Sequence, residues 1–206
     1  KNTCITLLSF LLAVSNLAAD ESGKHLFILS GQSNMQGHRP KEAFTPAIEK
    51  EFGKDKVIII QDAQGGQPLH RWDKSWKSPK GEKPKQSGDL YDRLLRKVKP
   101  AIKGQKIKTI TFIWMQGERD ARMQWASLYE AGFTSLLKQL GADLNHKNIN
   151  FVIGRLSDFG NSNKGFKDWN KMRKIMVKLA DDSPRGEWVD TDDLNDGLNR
   201  GGKKIK

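Results

Sequence analysis

The sequence predicts an α/β protein, a three-layer α/β/α sandwich built on a mainly parallel, flavodoxin-like five-stranded sheet. Three observations carry this expectation. Five short apolar or β-branched runs alternate with helical segments along the 206 residues. The best of them, Leu26 to Leu29, is apolar at every position, which suits a strand covered on both faces. The first three runs end abruptly in polar loops that carry glycine, the place where open parallel sheets hold ligands.

The elements follow in order. After Leu26–Leu29 the chain turns at Ser30-Gly31, and residues 41 to 52 are mixed and polar, with Pro46 interrupting any long helix. The second strand, Val57 to Ile60, runs into Gln64-Gly65-Gly66-Gln67. Residues 73 to 88, rich in Lys, Pro, Ser and Gly, are expected to form a long surface loop. From Asp89 a helix is predicted, capped by Asp89 and with Leu90, Leu94, Leu95 and Val98 on one face. Lys106 to Met115 is the third strand and ends in Gln116-Gly117-Glu118. Ala121 to Leu140 carries apolar residues at helical spacing, and Gly141 is expected to close that helix. A fourth strand over Asn150 to Leu156, a helix over Phe166 to Leu179 and a short strand over Glu187 to Val189 complete the pattern. The Met and aromatic residues of these helices are read as core.

Composition narrows the function classes. With 36% hydrophobic residues the chain can build one domain with a real core. The net charge of +12 could mark a polyanionic partner, but no recognition motif or interleaved aromatic pattern accompanies it, which argues against nucleic acid. An anionic polysaccharide suits the charge as well, and only Lys74, Lys77, Lys80, Lys83 and Lys85 form a stripe. The single cysteine, Cys4, rules out an internal disulfide or a cysteine-based metal site. No cofactor is expected.

Residues 5 to 14, ITLLSFLLAV, have the length of a secretory h-region, with mostly small residues from Ser15 to Ala19. Residues 1–19 therefore read as a partial signal peptide, too short to span a bilayer, and residues 24–206 as the domain. The expected location is secreted or periplasmic, with no membrane attachment after cleavage.

Parallel strands bring their C-terminal loops to one edge, so Ser33, Gly65-Gly66 and Gln116-Gly117-Glu118 are expected to converge. An activated serine needs a base and donors aimed at the developing oxyanion. Ser33 supplies a hydroxyl, a loop glycine an unhindered N–H, Gln116 a side-chain amide, and Glu118 a carboxylate able to orient the amide or the base. Ser30 to Asn34 is equally compatible with ordinary turn chemistry.

Four blocks taken together, SGQSNMQG, the Gly-Gly with His70-Arg71-Trp72, WMQGERDA and WVDTDDLND, resemble the sialate O-acetylesterase and carbohydrate esterase family 6 branch of the SGNH hydrolases. The resemblance implies the SGNH hydrolase fold, with Ser33 as nucleophile. It also implies an oxyanion hole made by the N–H of Ser33, the N–H of Gly66 (or Gly65) and the Gln116 amide, with Glu118 in support. The reaction implied is removal of O-acetyl groups from carbohydrate through an acyl-enzyme, without a metal.

The sequence departs from the family where the acid and base belong. That pair follows the segment like VDTDDLNDG, and none of His25, His38, His70 and His146 occupies its place. The expectation is a chain incomplete at its C-terminus, with little activity of its own. His38 and His70 lie near enough in sequence to the site loops to be considered as bases or substrate contacts. Trp72, Arg119, Gln124 and Trp125 are candidates for lining a sugar pocket. A non-catalytic carbohydrate-binding protein with the same fold is the alternative, followed by an anion-binding module.

Overall fold

The computed structural model describes residues 22–158 and 165–194. Its centre is a sheet of five strands in the order β2-β1-β3-β4-β5, all parallel. The strands are β1 (Lys24–Gly31), β2 (Val57–Ala63), β3 (Ile107–Met115), β4 (Ile149–Gly154) and β5 (Gly186–Val189). The helices are α1 (Ser33–Gly37), α2 (Phe44–Phe52), α3 (Asp89–Ile102), α4 (Glu118–Arg122), α5 (Ala126–Asp143) and α6 (Trp169–Asp181). The expected fold class is the one observed.

The strand order explains the layers. From β1 the chain moves outward to β2, and every later step moves the opposite way, so right-handed crossovers must place the first connection on one face and the rest on the other. Accordingly α1 and α2 cover the face carrying Phe27, Leu29 and Met35. Helices α3, α5 and α6 cover the face carrying Leu26, Ile28, Phe112, Trp114 and Ile153. Register then aligns the tips, since Gly31 stands opposite both Ala63 and Met115. The β1/β3 neighbours are where strand order reverses, and the loops after them are the site loops.

Three local expectations are corrected. Residues 44–52 form a helix in spite of Pro46, because a proline in the first turn lacks only an N–H that no helical carbonyl would have accepted. The helix expected over 121–140 is two helices: Gln124 takes a left-handed conformation at φ 59° and breaks it, while α5 continues through Gly141 to Asp143. Asp89 does not cap α3; Gly88 holds that position, and the Asp89 carboxylate instead takes two hydrogen bonds of 2.7 Å from Arg71. The expected surface loop at 73–88 is present, with one short 3₁₀ turn (Leu69–Arg71) ahead of it. No helix among the described residues is long and apolar enough to cross a membrane. The signal-peptide expectation at 1–19 falls outside the described residues.

Candidate active site

The tips of β1, β2 and β3 are laced by backbone bonds. Gln32 N–H donates to the Met115 carbonyl at 2.8 Å and Gln64 N–H to the Gly31 carbonyl at 3.0 Å. Ser30, fully buried, donates its hydroxyl to the Asp62 carbonyl at 2.7 Å. Gly31 makes this closeness possible: at φ 139° it adopts a backbone that side chains disfavour, and a Cβ there would overlap the Met115 carbonyl oxygen.

Ser33 opens α1 immediately beyond these tips, and it is exposed. Gly65 lies against it, with the site of a Gly65 Cβ 3.6 Å from Ser33 Cβ. The two glycines of the second loop are not equivalent. The Gly65 N–H donates to Gln36 Oε1 at 2.7 Å, whereas Gly66 is exposed and open space surrounds the position of its missing side chain.

Gln116 is completely buried. Its amide nitrogen donates to Asp120 Oδ2 at 2.5 Å and to the Gln67 carbonyl at 3.0 Å, with Gln32 Oε1 at 3.4 Å. Its own Oε1 has no partner among the described residues. Gln116, Gln67 and Gln32 thus tie the ends of three strands together, as the convergence argument expects.

Asp120, which sequence reasoning gave no role, is the hub of this arrangement. It is buried and accepts the Leu69 N–H at 3.0 Å as well as the Gln116 amide. Burial pushes its carboxyl up to about 7, against the pull of the Gln116 and Leu69 donors. The signal that could have found it is its spacing, an acid four residues after Gln116 within WMQGERDA. Glu118 accepts the Asn34 amide at 3.0 Å, and its other oxygen is covered and without a partner. Burial pushes Glu118 to about 7, and the charge of Asp120 adds to the rise. Asn34, the residue next to Ser33, thereby ties Glu118 to the start of α1, a role the sequence reading did not give it.

A cleft of about 250 Å³ is lined by Asn34, Gln116, Glu118, Arg155, Thr191 and Leu194 among others, so it reaches the residue next to Ser33 in the chain but not Ser33 itself. The fourth sequence block reaches it through Thr191, whose hydroxyl donates to the Arg155 carbonyl at 2.6 Å. Asp192 is held by Arg173 and Arg155 at 2.7 Å, and the Arg173 guanidinium keeps its carboxyl below the usual range.

The histidines lie elsewhere. His25 bonds Thr109 at the start of β1, and His146 sits in the turn between α5 and β4, on the edge opposite the site. His38 is exposed at the end of α1. His70 Nδ1 faces the Gln86 carbonyl at 2.8 Å, and burial lowers the ring's pKa. Trp72 is core, fully buried edge-on against Trp114, and does not line a pocket. Trp125 is half-buried, while Gln124 is exposed. Among the described residues no three His, Cys, Asp or Glu side chains gather as a metal-binding group.

The fold is shared with solved structures at low identity. A protein from Arabidopsis thaliana matches at a TM-score of 0.62 and 20% identity, covering 89% of this chain and 91% of that one. A carbohydrate acetylesterase from Xanthomonas citri matches at 0.61 and 17%, covering 86% of this chain and 51% of that one. NanS matches at 0.56 and 11%, covering 88% and 80%. No curated protein matches the sequence. The model of the family "Carbohydrate esterase, sialic acid-specific acetylesterase" matches residues 39–200. Those residues include the Gly65-Gly66, Gln116–Glu118 and Trp188–Leu194 blocks, with Ser33 just ahead of them. The chain therefore belongs to the sialic acid-specific acetylesterase family of carbohydrate esterases, and by that membership is a carboxylic ester hydrolase.

Proposed function

We propose that this protein is an exported serine esterase that removes O-acetyl groups from carbohydrate. In this reading Ser33 Oγ attacks the acetyl carbonyl carbon as a base takes its proton. The ester C–O bond then breaks, the sugar hydroxyl leaves with a proton, and water releases acetate from the acyl-serine. The oxyanion is met by the N–H groups of Ser33 and Gly66 and by the Gln116 amide, which exchanges one of its present bonds for the substrate oxygen. Glu118 supports the site through Asn34. The observation that carries the reading is the meeting of three strand tips, with Gly65 against Ser33 and Gln116 bonded to Gln67.

His25 and His146 lie at the edge opposite the site, and His70 Nδ1 faces the Gln86 carbonyl, so we assign none of the four histidines as the base. The 206-residue polypeptide by itself is then nearly inactive, since losing the base of such a triad removes on the order of 10⁴- to 10⁶-fold in rate. Residues 1–19 are assigned to export, and residues 24–206 to the esterase domain.

The test compares aryl acetate hydrolysis by the 206-residue chain with that of a version extended by the natural downstream sequence, each with and without Ser33→Ala. Activity confined to the extended protein and abolished by Ser33→Ala is the expected result. Equal rates in both lengths would return the base to His70 or His38, and activity surviving Ser33→Ala would end the nucleophile assignment. An inactive extended protein that still holds glycan would favour the non-catalytic binding reading.

A further inference from the structure

We propose that the loop over residues 73–88 is a docking surface for an acidic polysaccharide. The inference rests on the esterase reading for its purpose, since that reading makes the polymer a glycan, but the surface itself is argued from the loop.

The loop has five lysines against two acids, and one of those acids, Asp73, is buried inside its own hydroxyl bonds. Lys77, Lys80, Lys83 and Lys85 are exposed, and none has a carboxylate partner among the described residues. Lys74, by contrast, pairs with Asp92 at 2.6 Å. Lys77, Lys80, Lys83 and Lys85 fall within nine residues with Glu82 as the one acid among them, so their ammonium groups form a local positive patch.

These charges sit on a closed loop held in shape. Its ends meet where the Gly88 N–H donates to the His70 carbonyl at 2.9 Å, and Ser87 Oγ–H reaches the Asp73 carbonyl at 3.0 Å. Its tip is a turn in which Ser78 N–H donates to the Glu82 carbonyl at 2.8 Å. Trp76 pins it from beneath, buried and 4.8 Å from the Trp125 ring, with His70 at 5.2 Å on its other flank. Ordering a charged loop before binding lowers the entropy lost on binding.

Position and chemistry select the partner. The loop connects the end of β2 to the start of α3 and packs on the flank of α5, where Lys74 N–H donates to Gln139 Oε1 at 3.1 Å and Ser75 Oγ lies 2.7 Å from Ser135 Oγ. His70 is five positions beyond Gly65, which puts its Cα within about 18 Å of the Gly65–Ser33 contact. The partly exposed Trp125 offers an aromatic face to the apolar face of a sugar ring. An exposed lysine pairing is worth under about 1 kcal/mol, so a monosaccharide carrying one charge would gain little. A polymer with repeated carboxylate or sulfate groups engages several ammonium groups on one chain and gains by avidity. The single aromatic platform lacks the succession of stacking faces that single-stranded nucleic acid uses.

The test measures binding of the 206-residue protein to polygalacturonate, dextran sulfate, neutral dextran and polyuridylate, at low and high salt. Two fourfold variants accompany it, with Lys77, Lys80, Lys83 and Lys85 all changed to Glu or all to Gln, and also Trp125→Ala and Ser33→Ala. Expected are binding to one acidic glycan at least about tenfold tighter than to neutral dextran, weakening with salt, and loss of that margin in both fourfold variants with an unchanged thermal midpoint. Trp125→Ala weakens glycan binding, and Ser33→Ala leaves it intact even where it abolishes hydrolysis by the extended protein. Whichever of the two acidic polymers binds tells carboxylate from sulfate recognition. Binding unchanged in the fourfold variants, polyuridylate bound as tightly as the acidic glycan, or no preference over neutral dextran would each overturn the proposal.

Discussion

Gln116 donates its amide to Asp120 at 2.5 Å, and both side chains are buried at the tip of β3. The amide is thereby aimed and held, but it is not free: its second hydrogen goes to the Gln67 carbonyl. An oxyanion donor in this state is preorganised by its competitors. In the extended protein Gln116→Ala is expected to lower kcat for an aryl acetate by about 10²- to 10³-fold, with KM little changed. Equal losses in kcat and thermal stability in Gln116→Asn would instead mark Gln116 as a strut only.

The carboxyls around it set a pH dependence of stability. Folded, Asp120 and Glu118 keep their protons up to about 7 because burial disfavours the charged form. Unfolded, they release them near 4. Between those values the native state binds more protons than the unfolded one, so stability falls as pH rises from about 4 to about 7, by up to about 1.4 kcal/mol per pH unit for each group, and then levels. Urea midpoints at pH 5 and pH 8 measure this. Glu118→Gln is expected to reduce the difference.

Tyr129 connects the core to the site. It accepts the Trp114 indole N–H at 2.9 Å and donates to the Gln116 carbonyl at 2.7 Å, all of it buried. Tyr129→Phe strands both groups and is expected to cost about 1–3 kcal/mol, read from chemical denaturation.

Gly31 is predicted to tolerate no side chain. Gly31→Ala forces a disfavoured backbone and a clash with the Met115 carbonyl at the β1/β3 seam, so a loss of about 3 kcal/mol or more is expected. Circular dichroism melts report it, with Gly37→Ala, where a Cβ would meet nothing within 4 Å, as the neutral comparison.

Much of this molecule was legible along the chain. The apolar runs at Leu26–Leu29, Val57–Ile60 and Ile107–Met115 are strands, and the glycine loops after them do meet. Where the reading failed, a tertiary or positional effect overrode a local rule. Pro46 was read as a breaker, yet it sits where a helix has no bond to lose. Asp89 was read as a cap, yet Arg71 offers its carboxylate a forked partner. Trp72 is a candidate for the sugar pocket by sequence, yet it is fully buried edge-on against Trp114.

By itself the sequence determined the fold class, the sharing of one edge by the loops that follow parallel strands, and the family, because hydrophobic period, glycine punctuation and block motifs are properties of the chain read locally. Only the tertiary structure decided which hydrogen-bond groups of the site are already occupied. Gly65 N–H is taken by Gln36, and Gln116 is held by Asp120, an acid within its own sequence block to which the sequence reading gave no role. Such competition depends on which atoms from different strands arrive within about 3 Å of one another, and that distance is written nowhere in the order of residues.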